Sequence, residues 1–360
     1  MRLFECQGCG QMLFFENVHC ESCQRRLGFL PERLVLSALE PAEDDRWRAL
    51  SGTRRRWRFC ANAEHGVCNW LVPADSPDRL CRACVLNRTI PSLDVPENQA
   101  LWRRIELSKH RAIYGLLRLG LPLPSKAEAP QKGLAFDFLA GSGMPSEDSP
   151  AVMTGHAEGL ITLNIAEADP VQRERTRLEM KEPYRTLLGH FRHELGHYYW
   201  ERLIQDNGRH EAFRELFGDE RADYQAALQA HYAQGVQAPG WQESFISSYA
   251  KSHPWEDFAE TWAHYLHIVD TLETGAAFGV RIRPKVGKDR NLAVALDFDP
   301  YREENLDRLI QAWFPLTYAV NELNHSMDQP DLYPFVLSPR VIEKLSFVHH
   351  LVHQVAAPRN

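Results

Sequence analysis

After Cys84 the chain contains no cysteine: all eight lie within the first 84 of its 360 residues. That abrupt change of composition is the clearest boundary signal in the sequence. No apolar run approaches the roughly 18–20 residues of a membrane span, so no membrane partner is expected. The opening MRLFECQGCG lacks a basic start, an apolar stretch and a small-residue cleavage site. A secretory signal is therefore not expected, and the expected location is cytoplasmic. Positive charge is not in excess either, since 41 Lys and Arg face 48 Asp and Glu for a formal net charge of -7. No global basic field calls for nucleic acid. Low-complexity tracts are lacking, and the part beyond the cysteines shows no internal repeat. What remains is ordinary globular composition, 44% hydrophobic and 25% charged, at a length that suits two or three domains.

In a reducing compartment, cysteines in regular pairs point to metal rather than to disulfides. Cys6, Cys9, Cys20 and Cys23 form two C-x-x-C pairs separated by ten residues. Two such knuckles supply four thiolates to a tetrahedral zinc. Cys60, Cys68, Cys81 and Cys84 form a looser second set with one C-x-x-C pair. His65 could replace Cys60 or Cys68 there, and pairing across the two sets is also open. Closed four-cysteine sites are structural and leave no position for substrate. Beside them, Arg54, Arg55, Arg56 and Arg58 surround Trp57. That patch could contact phosphates and stack on a base. The acidic Glu43, Asp44 and Asp45 offset its field, which favours a solvated loop.

Downstream of this part, Leu101, Trp102, Ile105, Ile113, Leu116 and Leu117 recur at helical spacing and predict one amphipathic helix over about 97–119. Lys109 interrupts its stripe. Gly120, Pro122 and Pro124 end it. Residues 121–151 read as a connection with a strand candidate at 133–139. Leu160–Ile165 is a second strand candidate, with the alternation of an edge strand. Further helices are expected near 211–233, 240–250, 255–273, 303–325 and 339–354, with a hairpin within 280–300.

The most informative element has Pro183 as a candidate start, an apolar face through Leu187, Leu188, Phe191, Leu195, Tyr198, Tyr199 and Leu203, and Asn207-Gly208 as a stop. It contains His193-Glu194-Leu195-Gly196-His197, an H-E-x-x-H motif. On a helix, positions i and i+4 share a face, so both imidazoles can meet one ion. Glu194 sits beside them and can act as general base on a water that zinc has made acidic. The blander possibility is a helix whose two histidines merely face solvent. A third ligand is needed. The position six residues past the motif is Leu203, which excludes the metzincin pattern. Glu256, in the first turn of a helix that Pro254 can start, is the leading candidate, and Glu260 one turn on could bind the free nitrogen of a ligand histidine. Asp219, Glu220 or Asp223 remain alternatives. His190, His264 and His267 could line a cleft or lie in core or surface, and Trp200, Trp255 and Trp262 read as packing.

The HELGH helix with Glu256-Asp257-Phe258-Ala259 downstream resembles the gluzincin arrangement of the Mlc titration factor family and of the anthrax lethal factor catalytic domain. The resemblance implies that Glu256 is the third ligand and that Tyr249, seven residues before it, stabilises the oxyanion. Asp257 departs from that pattern, which has an aromatic residue there. Over nearly its full length, through HFRHELGHYYW, LFGDERADYQAAL and HPWEDFAETWAHYLHIVDTL, the chain resembles a bacterial family of zinc-binding metallopeptidases with an N-terminal zinc ribbon.

The expected fold is thus α+β: a mostly helical, zincin-like metallopeptidase domain with a small sheet at 125–360, a zinc-ribbon module at 1–90, and a connecting helix at 91–124. A peptide would add to the Leu160–Ile165 edge. The expected function is zinc-dependent hydrolysis of peptide bonds in a peptide or protein substrate, with one catalytic and one or two structural Zn2+. Two rivals are a protease acting on nucleic-acid-bound proteins and a non-enzymatic zinc protein that regulates a partner.

Overall fold

The computed structural model describes all residues except 53, 142–153, 181, 183, 235–239, 288–291 and 356–360. It is mixed helix and sheet, as the α+β expectation requires. Packing divides it into two compact units, Met1–Arg173 and Glu174–Asn360.

In the first unit, β1 (Phe4–Glu5) and β2 (Met12–Leu13) form the hairpin of the first cysteine knuckle. Where the sequence shows only short irregular segments, a five-stranded antiparallel meander follows: β3 (Leu27–Leu30), β4 (Val35–Pro41), β5 (Trp47–Ala49), β6 (Arg56–Phe59) and β7 (Leu71–Pro73). Its core is Leu30, Leu39, Ala49, Trp57 and Leu71. Trp57 is therefore packed inside the sheet and is not available to stack on a base. Its neighbours are engaged too: Arg55 pairs with Asp75 at 2.8 Å, and Arg58 donates to the carbonyls of Ser76 and Asp78.

Helix α1 (Pro96–Leu119) has Pro96 at its start, and Gly120 at φ 72° closes it by donating to the Leu116 and Leu117 carbonyls. Lys109, which breaks the apolar stripe, is fully buried and pairs with Glu106 at 2.8 Å. Phe15, between the first two knuckles, packs on Phe29 of β3 and on Tyr114 of α1, with ring centroids 4.9 and 5.3 Å away. Trp70 lies 4.7 Å from Phe29. The knuckle, the meander and α1 thus share one aromatic core.

The last sheet of this unit has the order β10 (Gly155–Ala157), β11 (Leu160–Asn164), β9 (Ala135–Leu139), β8 (Asn87–Thr89). This corrects the edge-strand expectation. Strand β11 is flanked on both sides, antiparallel by β10 and parallel by β9, so its ladder is not free for a peptide. The apolar–polar alternation that suggests an edge here reflects a sheet with one face more buried than the other.

Helix α2 (Pro170–Met180) spans the division between the units. In the second unit come α3 (Leu187–Trp200), α4 (His210–Phe217), α5 (Tyr224–Gln234), α6 (Pro254–Ala277), β12 (Arg281–Ile282), β13 (Val294–Ala295), α7 (Leu306–His325) and α8 (Pro339–Val355). Pro183 lies outside the described residues; α3 begins at Leu187, where the Thr186 hydroxyl accepts from the Gly189 amide at 3.0 Å. After Trp200 the helix continues as a π-helical turn, Glu201–Gln205, before Gly208 at φ 66°. The helix expected at 211–233 is broken at Gly218, whose φ of 98° no helix accommodates. The one expected at 240–250 is instead two short 3-10 turns. β12 and β13 pair antiparallel within the expected hairpin.

Helix α8 is tied to α6 by a buried ion pair, Lys344 to Asp257 at 2.6 Å, with Lys344 also donating to the Ser244 carbonyl. Removing one partner of a buried pair strands the other. Lys344→Met is expected to cost about 3 kcal/mol. Adding Asp257→Leu should recover at least half of that loss. Chemical denaturation of the two variants checks both figures.

Candidate metal centre

Gly196 decides how closely α3 and α6 approach. A Cβ there would lie 2.8 Å from the Ala259 Cα and 3.1 Å from its carbonyl oxygen. Tyr199 stacks on Trp262 at 4.9 Å on the same interface. With no side chain at Gly196, α3 and α6 come close there, and residues next to the contact and about one turn before it reach across. His193 and His197 come from α3; Glu256 and Glu260 come from α6 at the same i, i+4 spacing. His253 caps the start of α6 by accepting from the Trp255 amide, and Pro254 occupies the first turn.

Three ligand atoms converge. Glu256 Oε2 lies 2.9 Å from His193 Nε2 and 3.4 Å from His197 Nε2, and the two Nε2 atoms are 3.1 Å apart. On the far side of the ring, His193 Nδ1–H donates to Glu260 Oε1 at 2.7 Å, while Glu260 Oε2 accepts from the Ser247 hydroxyl at 2.6 Å. That bond assigns the proton of a neutral imidazole to Nδ1 and turns the Nε2 lone pair toward the Glu256 carboxylate. Glu256 Oε2 is buried and makes no hydrogen bond of acceptable geometry. Lone pairs facing one another in a buried site need a cation between them. A proton on His193 Nε2 would compete with a metal ion for that place. Burial alone would lower the His193 pKa, but the Glu256 and Glu260 carboxylates outweigh it and hold it well above the usual value. Burial would raise the Glu256 carboxyl, but His197 and His193 hold it well below the carboxylate range. This donor set, two imidazoles and one carboxylate, fits zinc.

Glu194 stands next to the cluster. Its Oε1 is 3.5 Å from His190 Nε2, and its Oε2 is buried without a hydrogen bond. Burial pushes its pKa up, but His190, His193 and His197 together bring it below the usual value, so the carboxylate stays ionised. The Tyr249 ring lies 5.8 Å from that of His193, and burial and the Glu256 charge raise its phenol pKa well above normal, keeping its proton.

The other candidate positions fall elsewhere. Asp219 is exposed and bonded to Arg221 at 2.7 Å, Glu220 is paired with Arg214, and Asp223 accepts from the Ala226 amide at the start of α5. None of the three joins the cluster. Asp257 points away from Glu256 toward Lys344, which accounts for a charged residue where the resembling families have an aromatic one. His264 bonds the Tyr333 hydroxyl at 2.8 Å, and His267 accepts from Arg192 at 2.6 Å; both are inward-facing polar contacts of the helix core. Trp262 is core, whereas the Trp255 ring borders His197 at 4.5 Å.

Two residues at this centre are invisible to spacing arguments. Tyr224, from α5, donates its hydroxyl to Glu256 Oε1 at 2.7 Å. Ser247 holds Glu260. Both arrive from separate elements, and neither carries a motif.

The cysteines gather as two separate sets, each with all four sulfur atoms within 4.8 Å of one another. In the first, Cys6 lies 3.6 Å from Cys23 and Cys9 lies 3.5 Å from Cys20. His65 is not in the second set. It is exposed, and its ring lies 5.8 Å from that of Trp102. The histidine that does approach is His110 of α1, whose Nε2 is 3.4 Å from Cys68 Sγ while its Nδ1–H donates to the Glu106 carbonyl.

With this geometry in hand, the comparisons with known proteins are direct. A family model described as "Putative zinc-binding metallo-peptidase" matches residues 98–351, and a zinc-ribbon domain model matches residues 3–95. The chain belongs to this family of zinc-binding metallopeptidases and carries its zinc ribbon at the N-terminus. Among individual proteins, it is 43% identical over 357 residues to an uncharacterized protein of Mycobacterium tuberculosis and to one of Mycobacterium bovis, covering 99% of this chain and 96% of each relative. No solved structure matches.

The Gly196 contact generates a prediction. Gly196→Ala forces α3 and α6 apart against backbone, so stability should fall by about 1–3 kcal/mol. Zinc affinity at the His193 site should fall with it. Thermal melts and zinc titration of the variant check the two effects.

Proposed function

We propose that the protein hydrolyses peptide bonds as a gluzincin-type zinc peptidase, with His193, His197 and Glu256 holding the ion. The observation that carries this reading is the convergence of three donor atoms, one of them a carboxylate oxygen with no hydrogen bond, beside the Glu194 carboxylate, whose Oε2 is unbonded. Zinc in that position supplies a polarised substrate carbonyl and a water whose pKa is brought to about 7.

Glu194 then takes the proton of the attacking water on its unbonded Oε2, and passes it to the leaving amine as the C–N bond breaks. Water adds its hydroxyl to the carbonyl carbon and its proton to the amine nitrogen, so nothing further is consumed. Tyr249, which keeps its phenolic proton, donates to the oxygen on which negative charge develops. Glu260 keeps the His193 ring in one tautomer and orientation, and Ser247 keeps Glu260 in place. The two cysteine sets, closed by four thiolates each, hold structural zinc and take no part in the chemistry. The compartment is cytoplasmic in this reading, in keeping with eight cysteines gathered as two four-sulfur sets rather than as disulfides.

Glu194→Gln is expected to bind zinc as the native chain does and to lose peptide hydrolysis by at least ~10²-fold, as removal of a general base implies. Glu256→Ala should lose one zinc ion per chain and keep those of the cysteine sets. Elemental analysis together with cleavage of a mixed peptide library measures both. Full activity in Glu194→Gln would overturn the assignment of the base.

A further inference from the structure

The Glu256 carboxylate has two oxygens with different surroundings. Oε2 faces His193 and His197, whereas Oε1 accepts the Tyr224 hydroxyl at 2.7 Å. We propose that Tyr224 is a positioning residue of the metal centre: by occupying Oε1 it fixes the carboxylate so that Oε2 alone meets the ion. A carboxylate free to rotate can offer both oxygens to zinc, which fills the position that a water or substrate oxygen needs.

The path that brings Tyr224 there is built for precision. Tyr224 is the first residue of α5, directly after the Gly218–Asp223 break. His253 joins that break to α6 with both ring nitrogens: Nδ1 accepts from the Trp255 amide, and Nε2–H donates to the Ala222 carbonyl at 3.1 Å. The Tyr224 ring meets the His253 ring edge-on at 5.2 Å. The carbonyl two residues before Tyr224 and the cap three residues before Glu256 are thus pinned to one another. The hydroxyl of Tyr224 has little freedom to do anything but donate to Oε1. Tyr249 is placed differently: its ring lies against that of His193, and its hydroxyl neighbours the Tyr224 hydroxyl.

This rests on the reading of Glu256 as the third ligand, and the test separates the two. In the full-length chain, the zinc ion that Glu256→Ala loses is identified first. Its affinity is then measured by competition with a chelator in the native chain, Tyr224→Phe and Tyr249→Phe. Tyr224→Phe is expected to weaken that ion by 10–100-fold, the size of effect that an outer hydrogen bond to a ligand carries. Tyr249→Phe, which leaves the Tyr224 donor on Glu256 in place, should weaken it by a smaller factor than Tyr224→Phe does. Replacing Tyr224 by p-aminophenylalanine, which keeps a donor at the same ring position, should restore most of the affinity. Matching melting temperatures of the metal-free forms show that any loss is local. Native zinc affinity in Tyr224→Phe overturns the proposal, as does failure of the p-aminophenylalanine variant to rescue. If Glu256→Ala retains every zinc ion, the ligand assignment itself fails and the proposal falls with it.

Discussion

A glycine on α3 lying against the backbone of α6 sets the distance on which the metal centre depends. Gly196 and Ala259 touch where any side chain would collide with main chain. Three residues before this glycine and one residue after it, His193 and His197 reach Glu256, and His193 reaches Glu260. Tenths of an ångström matter here, because three donor atoms must share one small volume. The rest of the second unit holds this contact in register. The Tyr199–Trp262 stack fixes rotation, the Thr186 and His253 caps fix where each helix starts, and Lys344 braces α6 from its other side through Asp257.

The polar groups around the centre form two shells with opposite tasks. Glu260 and Ser247 organise the His193 ring from behind, while Tyr224 organises the third ligand from the side. Glu194 is left with an unbonded oxygen. A carboxylate that is buried, ionised and incompletely satisfied is costly to hold, and the neighbouring histidines offset that cost.

How much of this could be read in the sequence depended on whether the relevant spacing was local. His193 and His197 lie four positions apart, so periodicity alone places them on one face, with Glu194 beside them. Glu256 and Glu260 were legible for the same reason, once Pro254 was seen to start a helix. Tyr224 was not, since nothing about a tyrosine after an acidic run relates it to a carboxylate 32 positions later. The breaks at Gly218 and at 240–250 were missed because apolar periodicity survives across short interruptions. Strand β11 was misread because a three-residue partner, β10, leaves almost no sequence signal. The meander of the first unit was hidden in the same way, behind strands of three to seven residues with cysteines and turns between them.

The ring cluster of Phe15, Phe29, Trp70 and Tyr114 also bears on how the first unit holds together. Phe15 sits between the first two knuckles, and Trp70 follows Cys68 by two positions. The rings therefore join two cysteine-lined loops to the long helix that follows them. Zinc bound in a cysteine set would add its binding energy to the folding of the same core, so losing it would withdraw support from all of that core. The stability of this unit would then depend on the free zinc in the surrounding solution as well as on its amino-acid sequence.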